Sequence, residues 1–190
     1  MPRMPGARSV LDSCPNSPPI PMEILMVKTL ILAAGLAIGL IAPTAEAADA
    51  KPTWRDWDTG LKEAEQLDRP VLVDVYTQWC GWCKRMDRDV YARQDVREYL
   101  AKKFVMVRLD AESSDPARFD GRPYTSRTLA AYFRVAGYPT TLFLRSSGEH
   151  LVTVPGYVEA DKFLLLVRYI GEGNLDRGVS WEEYRTRQQK

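Results

Sequence analysis

Cysteine and histidine are scarce in this chain of 190 residues, which holds three cysteines and a single histidine, His150. Three cysteines are too few for a scaffold built on disulfides. One histidine excludes a histidine-rich metal site and any catalytic triad that cannot use that residue. An excess of either charge is lacking too: 26 Lys and Arg face 25 Asp and Glu, for a formal charge of +1. With no basic surplus to neutralise a row of phosphates, nucleic acid is not an expected partner. Nor is any apolar run long enough for a bilayer. The stretch Leu30 to Ala42 extends about 20 Å as a helix, against a hydrocarbon core of about 30 Å. What the chain does have is an ordinary globular make-up, 45% hydrophobic and 27% charged, with length for one domain and extensions. Cysteine chemistry, carboxylate chemistry and binding remain open.

The apolar run belongs to a leader. Lys28 precedes it and Ala45-Glu46-Ala47 follows as a small-x-small site, so residues 26–47 read as a secretory signal peptide cleaved after Ala47. A retained membrane anchor is the alternative, and the shortness of the run argues against it. Residues 1–25, rich in Pro and Ser and carrying Met1, Met4 and Met22, read as an extension ahead of a true start at Met22 or Met26. Cys14 is then absent from the mature protein. The expected mature chain is residues 48–190, one domain, periplasmic or otherwise exported, with no stable membrane anchor after cleavage. In that oxidising compartment the pair Cys80 and Cys83 is either a locked staple or a redox couple.

Hydrophobic spacing predicts a helix over Asp56 to Leu67, stopped at Asp68-Arg69-Pro70. Val71 to Tyr76 is a β-branched run that fits a central strand covered on both faces. A helix over Cys80 to Tyr91 follows, then a short one capped by Asp95 and running through Lys102. Phe104 to Leu109 reads as a second strand. Residues 111–124, with Ser113, Asp115, Pro116, Gly121 and Pro123, carry loop chemistry. A helix from Thr125 or Ser126 through Val135 stops at Gly137. Thr140 to Leu144 and Leu151 to Val154 are strands joined by a turn at Gly148, followed by a helix over Asp161 to Ile170. Ser180-Trp181-Glu182-Glu183 opens a tail helix over residues 180–188 with a capping box. The expected fold is an α/β sandwich around a mixed sheet.

Trp79-Cys80-Gly81-Trp82-Cys83-Lys84 lies between the first strand and the helix after it. Cys80 is thereby placed at a helix N-terminus, where unpaired N–H groups favour a thiolate, while Cys83 sits one turn inside and is the more protected. A structural zinc site would need two further ligands, and only His150 is available; haem attachment needs His where Lys84 stands. A static disulfide is the serious alternative. Asp74 interrupts the apolar first strand, and a buried carboxylate there must find a partner, shift its pKa or face a crevice. It could accept a proton from Cys83, or pair with Arg108 on the next strand, and the two do not exclude each other. Pro139 opens a strand, and by spacing alone is as readily a trans turn residue as anything more specific. The scattered tryptophans Trp54, Trp57 and Trp181 read as packing, and His150 as a hairpin surface residue.

Taken together, the strand bearing Asp74, the Trp79 to Lys84 motif, Tyr138-Pro139-Thr140, the hairpin at Gly148 and the turn at Gly156 resemble the thioredoxin superfamily over about residues 54–171. The resemblance implies a thioredoxin fold, a three-layer α/β/α sandwich with a central mixed sheet. It also implies that Cys80 attacks and Cys83 resolves, the two forming a Cys80–Cys83 disulfide in the oxidised state. Asp74 is then the buried carboxylate and Pro139 a cis-proline presenting its neighbour's backbone to substrate. Trp79, Gly81, Trp82, Tyr138 and Gly156 would line the substrate groove, with Lys84 and Arg108 supplying charge. No metal or organic cofactor is required. The export signal and the stretch Met86 to Asp110 are more similar to periplasmic members, including the C-terminal domain of the transmembrane disulfide reductase, than to cytosolic thioredoxin. That favours a monomeric reductant of protein disulfides served by a membrane electron donor. A thiol oxidase, a disulfide isomerase and a redox-inactive binding module remain the alternatives. Three departures stand out: Trp82 replaces the proline between the cysteines, Arg108 replaces a lysine near the buried carboxylate, and the helix after Cys83 lacks its kinking proline.

Overall fold

Pro70 ends one element and the β-branched run after it can only be accommodated where both faces are covered. In the computed structural model, which describes residues 53–188, that run is the inner strand β1 (Val71–Tyr76), buried along nearly its whole length. β2 (Val105–Asp110) lies parallel to it, with Asp74 opposite Arg108. On its other side β5 (Thr140–Leu144) runs antiparallel, and β6 (His150–Pro155) pairs antiparallel with β5, giving the order β2-β1-β5-β6.

Side chains alternate across β1. Val71, Val73 and Val75 face one layer, built from α1 (Trp57–Leu67) and α4 (Ser126–Tyr132), where Trp57, Ala64 and Leu129 close the core. Leu72 faces the other, with Met86 of α2 (Gly81–Met86), Leu100 of α3 (Gln94–Lys103) and Phe163 and Val167 of α5 (Ala160–Gly171). Asp74 shares that face by the same alternation. The result is the three-layer α/β/α sandwich with a mixed central sheet.

Of residues 111–124, read as loop, only 111–115 and the turn at 120–121 are so. Pro116–Phe119 and Arg122–Thr125 form an antiparallel ribbon, β3 and β4, joined at Asp120 (φ 50°) and Gly121 (φ 71°). A two-residue turn with both φ values positive matches strand twist, and Asp-Gly is its usual sequence. Both strands are edges, so Pro116 and Pro123 are tolerated. The ribbon is anchored: the Trp57 indole N–H donates to Arg118 O at 2.8 Å, and Phe119 meets the Trp57 ring edge-on at 5.7 Å.

Three further boundaries differ. The cap of α3 is Arg93, not Asp95, because Asp95 accepts hydrogen bonds from the Arg93 guanidinium and from the Val96 amide. α4 starts at its Thr125 cap but ends at Tyr132, short of Gly137, since Arg134 takes a left-handed conformation at φ 55°. The helix after Cys83 is interrupted: α2 gives way to one π-helical turn over Asp87–Tyr91. The tail helix α6 (Trp181–Gln188) has half of its capping box. Ser180 Oγ accepts from the Glu183 amide, while the Glu183 carboxylate pairs with Arg187. The leader expected at 26–47, the extension at 1–25 and Cys14 lie outside the described residues.

Candidate active site

Cys80 is the N-cap of α2, in extended backbone conformation, and its Sγ accepts the Cys83 amide at 3.0 Å. The two cysteines form a disulfide with Cα atoms 5.3 Å apart. Cys80 is 4% exposed and Cys83 5%, so the expected difference in protection is not one of coverage in this oxidised state. What separates them is position: only Cys80 stands before the first turn, where amides are free to stabilise negative charge.

On β1, Asp74 is buried, 2% exposed. Its Oδ2 is 3.3 Å from Nε of Arg108, and its Oδ1 accepts from the Tyr91 hydroxyl at 3.4 Å. Burial pushes the Asp74 carboxyl up to about 7; Arg108 pulls against this, and the charge of Asp87 adds to it. Arg108 is itself caged, its guanidinium 4.7 Å from the Trp54 ring centroid and 5.1 Å from that of Tyr76, with a hydrogen bond to Asp87. Burial, with Asp74 as the next cause, also holds the Tyr91 hydroxyl well above its usual range, so it remains a donor.

Two aromatic walls flank the disulfide. Trp79, 66% exposed, meets Tyr138 edge-on at 6.2 Å, and Trp82, 55% exposed, leans on Tyr157 at 5.5 Å. The Tyr138–Pro139 peptide is cis, and the Gly156 amide (φ 83°) donates to Pro139 O at 2.8 Å, joining the turn after β6 to the start of β5. A Cβ at Gly81 would meet open space. Lys84 is exposed and forms no ion pair among the described residues, whereas Arg85 and Arg88 both pair with Asp89. His150 is exposed at the far end of β6, with Nε2 2.8 Å from Thr153 Oγ1. Among the described residues no cluster of three His, Cys, Asp or Glu is placed to hold a metal ion.

The structure thus pairs Asp74 with Arg108 across β1 and β2, joins Cys80 to Cys83 at the start of α2 with Trp79 against Tyr138, and joins Pro139 to Gly156 where β5 begins and β6 ends. Sequence reasoning missed Asp87, Tyr91, Arg85, Trp54 and Tyr157. A signal existed for the first two: Asp87 and Tyr91 follow Cys83 by four and eight residues, on the same helical face.

Comparison with known proteins agrees with this fold. The model of the thioredoxin-like domain family matches residues 57–171. The thiol:disulfide interchange protein DsbD of Ralstonia nicotianae is 32% identical over 112 residues, 58% of this chain and 17% of that relative. The chain spans about a sixth of the length of the curated relatives it matches. A thioredoxin-fold protein from Helicobacter pylori superposes with a TM-score of 0.58 at 18% identity, over 76% of this chain and 89% of that one. A solution structure described as a putative disulphide-isomerase from Bacteroides thetaiotaomicron gives a TM-score of 0.50 at 31% identity, over 64% and 93% of the two chains. With its fold, its cysteine pair and a family match over most of its length, the chain belongs to the thioredoxin-like domain family.

Proposed function

We propose that this protein is an exported thiol:disulfide oxidoreductase that reduces protein disulfides in the periplasm or an equivalent compartment. The observation that carries the proposal is the placement of Cys80 as N-cap of α2, accepting the Cys83 amide, with a buried, protonatable Asp74 on the same side of the sheet.

In the reducing direction the Cys80 thiolate attacks one sulfur of a substrate disulfide. The substrate S–S bond breaks, a mixed disulfide forms, and the departing substrate thiolate takes a proton. Asp74 then accepts the Cys83 proton, and the Cys83 thiolate attacks Cys80 Sγ. This releases the second substrate thiolate and leaves the Cys80–Cys83 disulfide, two electrons having passed to the substrate. Pro139 and Tyr138 would present backbone to the substrate segment between the two aromatic walls. Recharging the disulfide outside the cytosol calls for a membrane electron donor. Export rests on the leader at 26–47, cleaved near Ala47, and leaves residues 48–190 as a single, monomeric domain.

The equilibrium reduction potential of the pair, followed by tryptophan emission across a thiol redox buffer, tests this. A value near about −270 mV or lower identifies a reductant, one near about −120 mV a disulfide donor, and no reversible couple a static staple on a binding module. A Cys83→Ser variant that traps no mixed disulfide from an exported-protein extract would also overturn the proposal.

A further inference from the structure

Arg108 stands between two carboxylates and serves them unequally. Its Nη2 hydrogen-bonds Asp87, which is half-exposed at the start of the π turn. Its Nε is only 3.3 Å from Asp74 Oδ2, yet it is buried with no hydrogen-bond partner. The guanidinium lies against the Trp54 and Tyr76 rings, and while its Nη2 is engaged by Asp87 it makes only the single Nε approach to Asp74. An arginine bound bidentately to Asp74 would hold that carboxyl firmly ionised.

We propose that Asp87 is a positioning residue that draws Arg108 away from Asp74, leaving the buried carboxyl free to take up and release a proton during turnover. The inference rests on the proposed reaction for its purpose, but its physical content concerns only three side chains. The groups facing Asp74 are Arg108 from β2, Asp87 and Tyr91 from the π turn, Thr141 across from it on β5, and Tyr76 two residues along β1. Among these, Arg108 favours the ionised acid and Asp87 opposes it. The π turn supports the arrangement: Asp87 and Tyr91, one at each end of it, engage Arg108 and Asp74 respectively.

The test follows the Asp74 carboxyl carbon by 13C NMR across pH in the oxidised full-length protein, with the resonance assigned by its loss in Asp74→Asn. Asp87→Asn should lower the midpoint by about one pH unit, because the arginine then turns to Asp74. Asp87→Glu should leave it near the native value. In an Arg108→Gln background the midpoint should rise, and adding Asp87→Asn should move it far less than in the native background. An unchanged or raised midpoint in Asp87→Asn overturns the inference, as does an undiminished shift in the Arg108→Gln background. Turnover on a protein disulfide separates this from the larger proposal. Asp87→Asn should shift the acidic limb of the pH–rate profile downward. A protein that reduces no disulfide yet shows the expected NMR shifts would overturn the activity and leave the role of Asp87 intact.

Discussion

Trp82 and Tyr157 lean on each other 5.5 Å apart beside the disulfide, and the Arg85 guanidinium lies 5.1 and 5.2 Å from their ring centroids. The α2 helix and the segment after β6 are thereby joined by one aromatic and cationic contact. It leaves more than half of Trp82 open to an incoming chain.

In the proposed reaction a partner segment reaching Cys80 would pass this wall. Trp82→Ala should lower kcat/KM on a protein disulfide about tenfold while leaving the thermal midpoint nearly unchanged, because a half-exposed ring contributes more to a bound partner than to the core. Steady-state kinetics beside a melting curve checks both halves.

Asp74 should make stability depend on pH in an unusual direction. Its native pKa of about 7 lies above the ordinary value of 3.8, so the folded state binds this proton more tightly than the unfolded chain. Its share of stability is fully present below pH 4 and is lost as pH rises through 7, on the order of 4 kcal/mol in all. Asp74→Asn removes the titration. Denaturant unfolding of both oxidised proteins should show the variant gaining on the native protein between pH 4 and pH 8. A constant difference would refute the assignment.

Reduction should leave the fold intact. The disulfide links residues three apart in sequence, so in the chain-entropy account it constrains the unfolded chain by only about 2 kcal/mol. Urea unfolding with and without a dithiol should give two cooperative transitions separated by no more than that. A reduced protein without a native transition would contradict it.

Gly60 marks a close approach between α1 and β2. A Cβ there would lie 2.2 Å from Val107 Cγ2, so Gly60→Ala should cost about 1–3 kcal/mol through overpacking. The double variant with Val107→Ala should lose less than the sum of the two single changes, because the second removes the atom struck by the first. Equilibrium unfolding of the three variants measures this.

Much of the scaffold was legible because single residues act locally. Pro70 and the valines of β1 define that strand to the residue, and Thr125 caps α4 through its own hydroxyl. The β3–β4 ribbon escaped because Pro116 and Pro123 argue against strands, while the Asp120–Gly121 turn argues for them and prevails where both strands are edges. Of the site, Cys80, Cys83, Asp74 and Arg108 were readable from motif and strand pattern. Helical spacing from Cys83 hinted at Asp87 without naming Arg108 as its partner, and Tyr157 acquires meaning only from the Trp82 it faces. The π turn carries no proline or glycine to announce it.

The two borders of the main sheet are finished differently. Among the described residues β6 has no further strand beyond it, whereas β2 carries a bridge at Arg55, whose amide donates to Met106 O at 2.8 Å and whose carbonyl accepts from the Arg108 amide at 3.0 Å. An unsealed border is a template for adding a foreign strand, and so for aggregation. Any shortened form of this protein must therefore begin ahead of Arg55: trimming past it would uncover the backbone of the very strand that carries Arg108 to the site, giving copies of the domain an edge on which to adhere to one another.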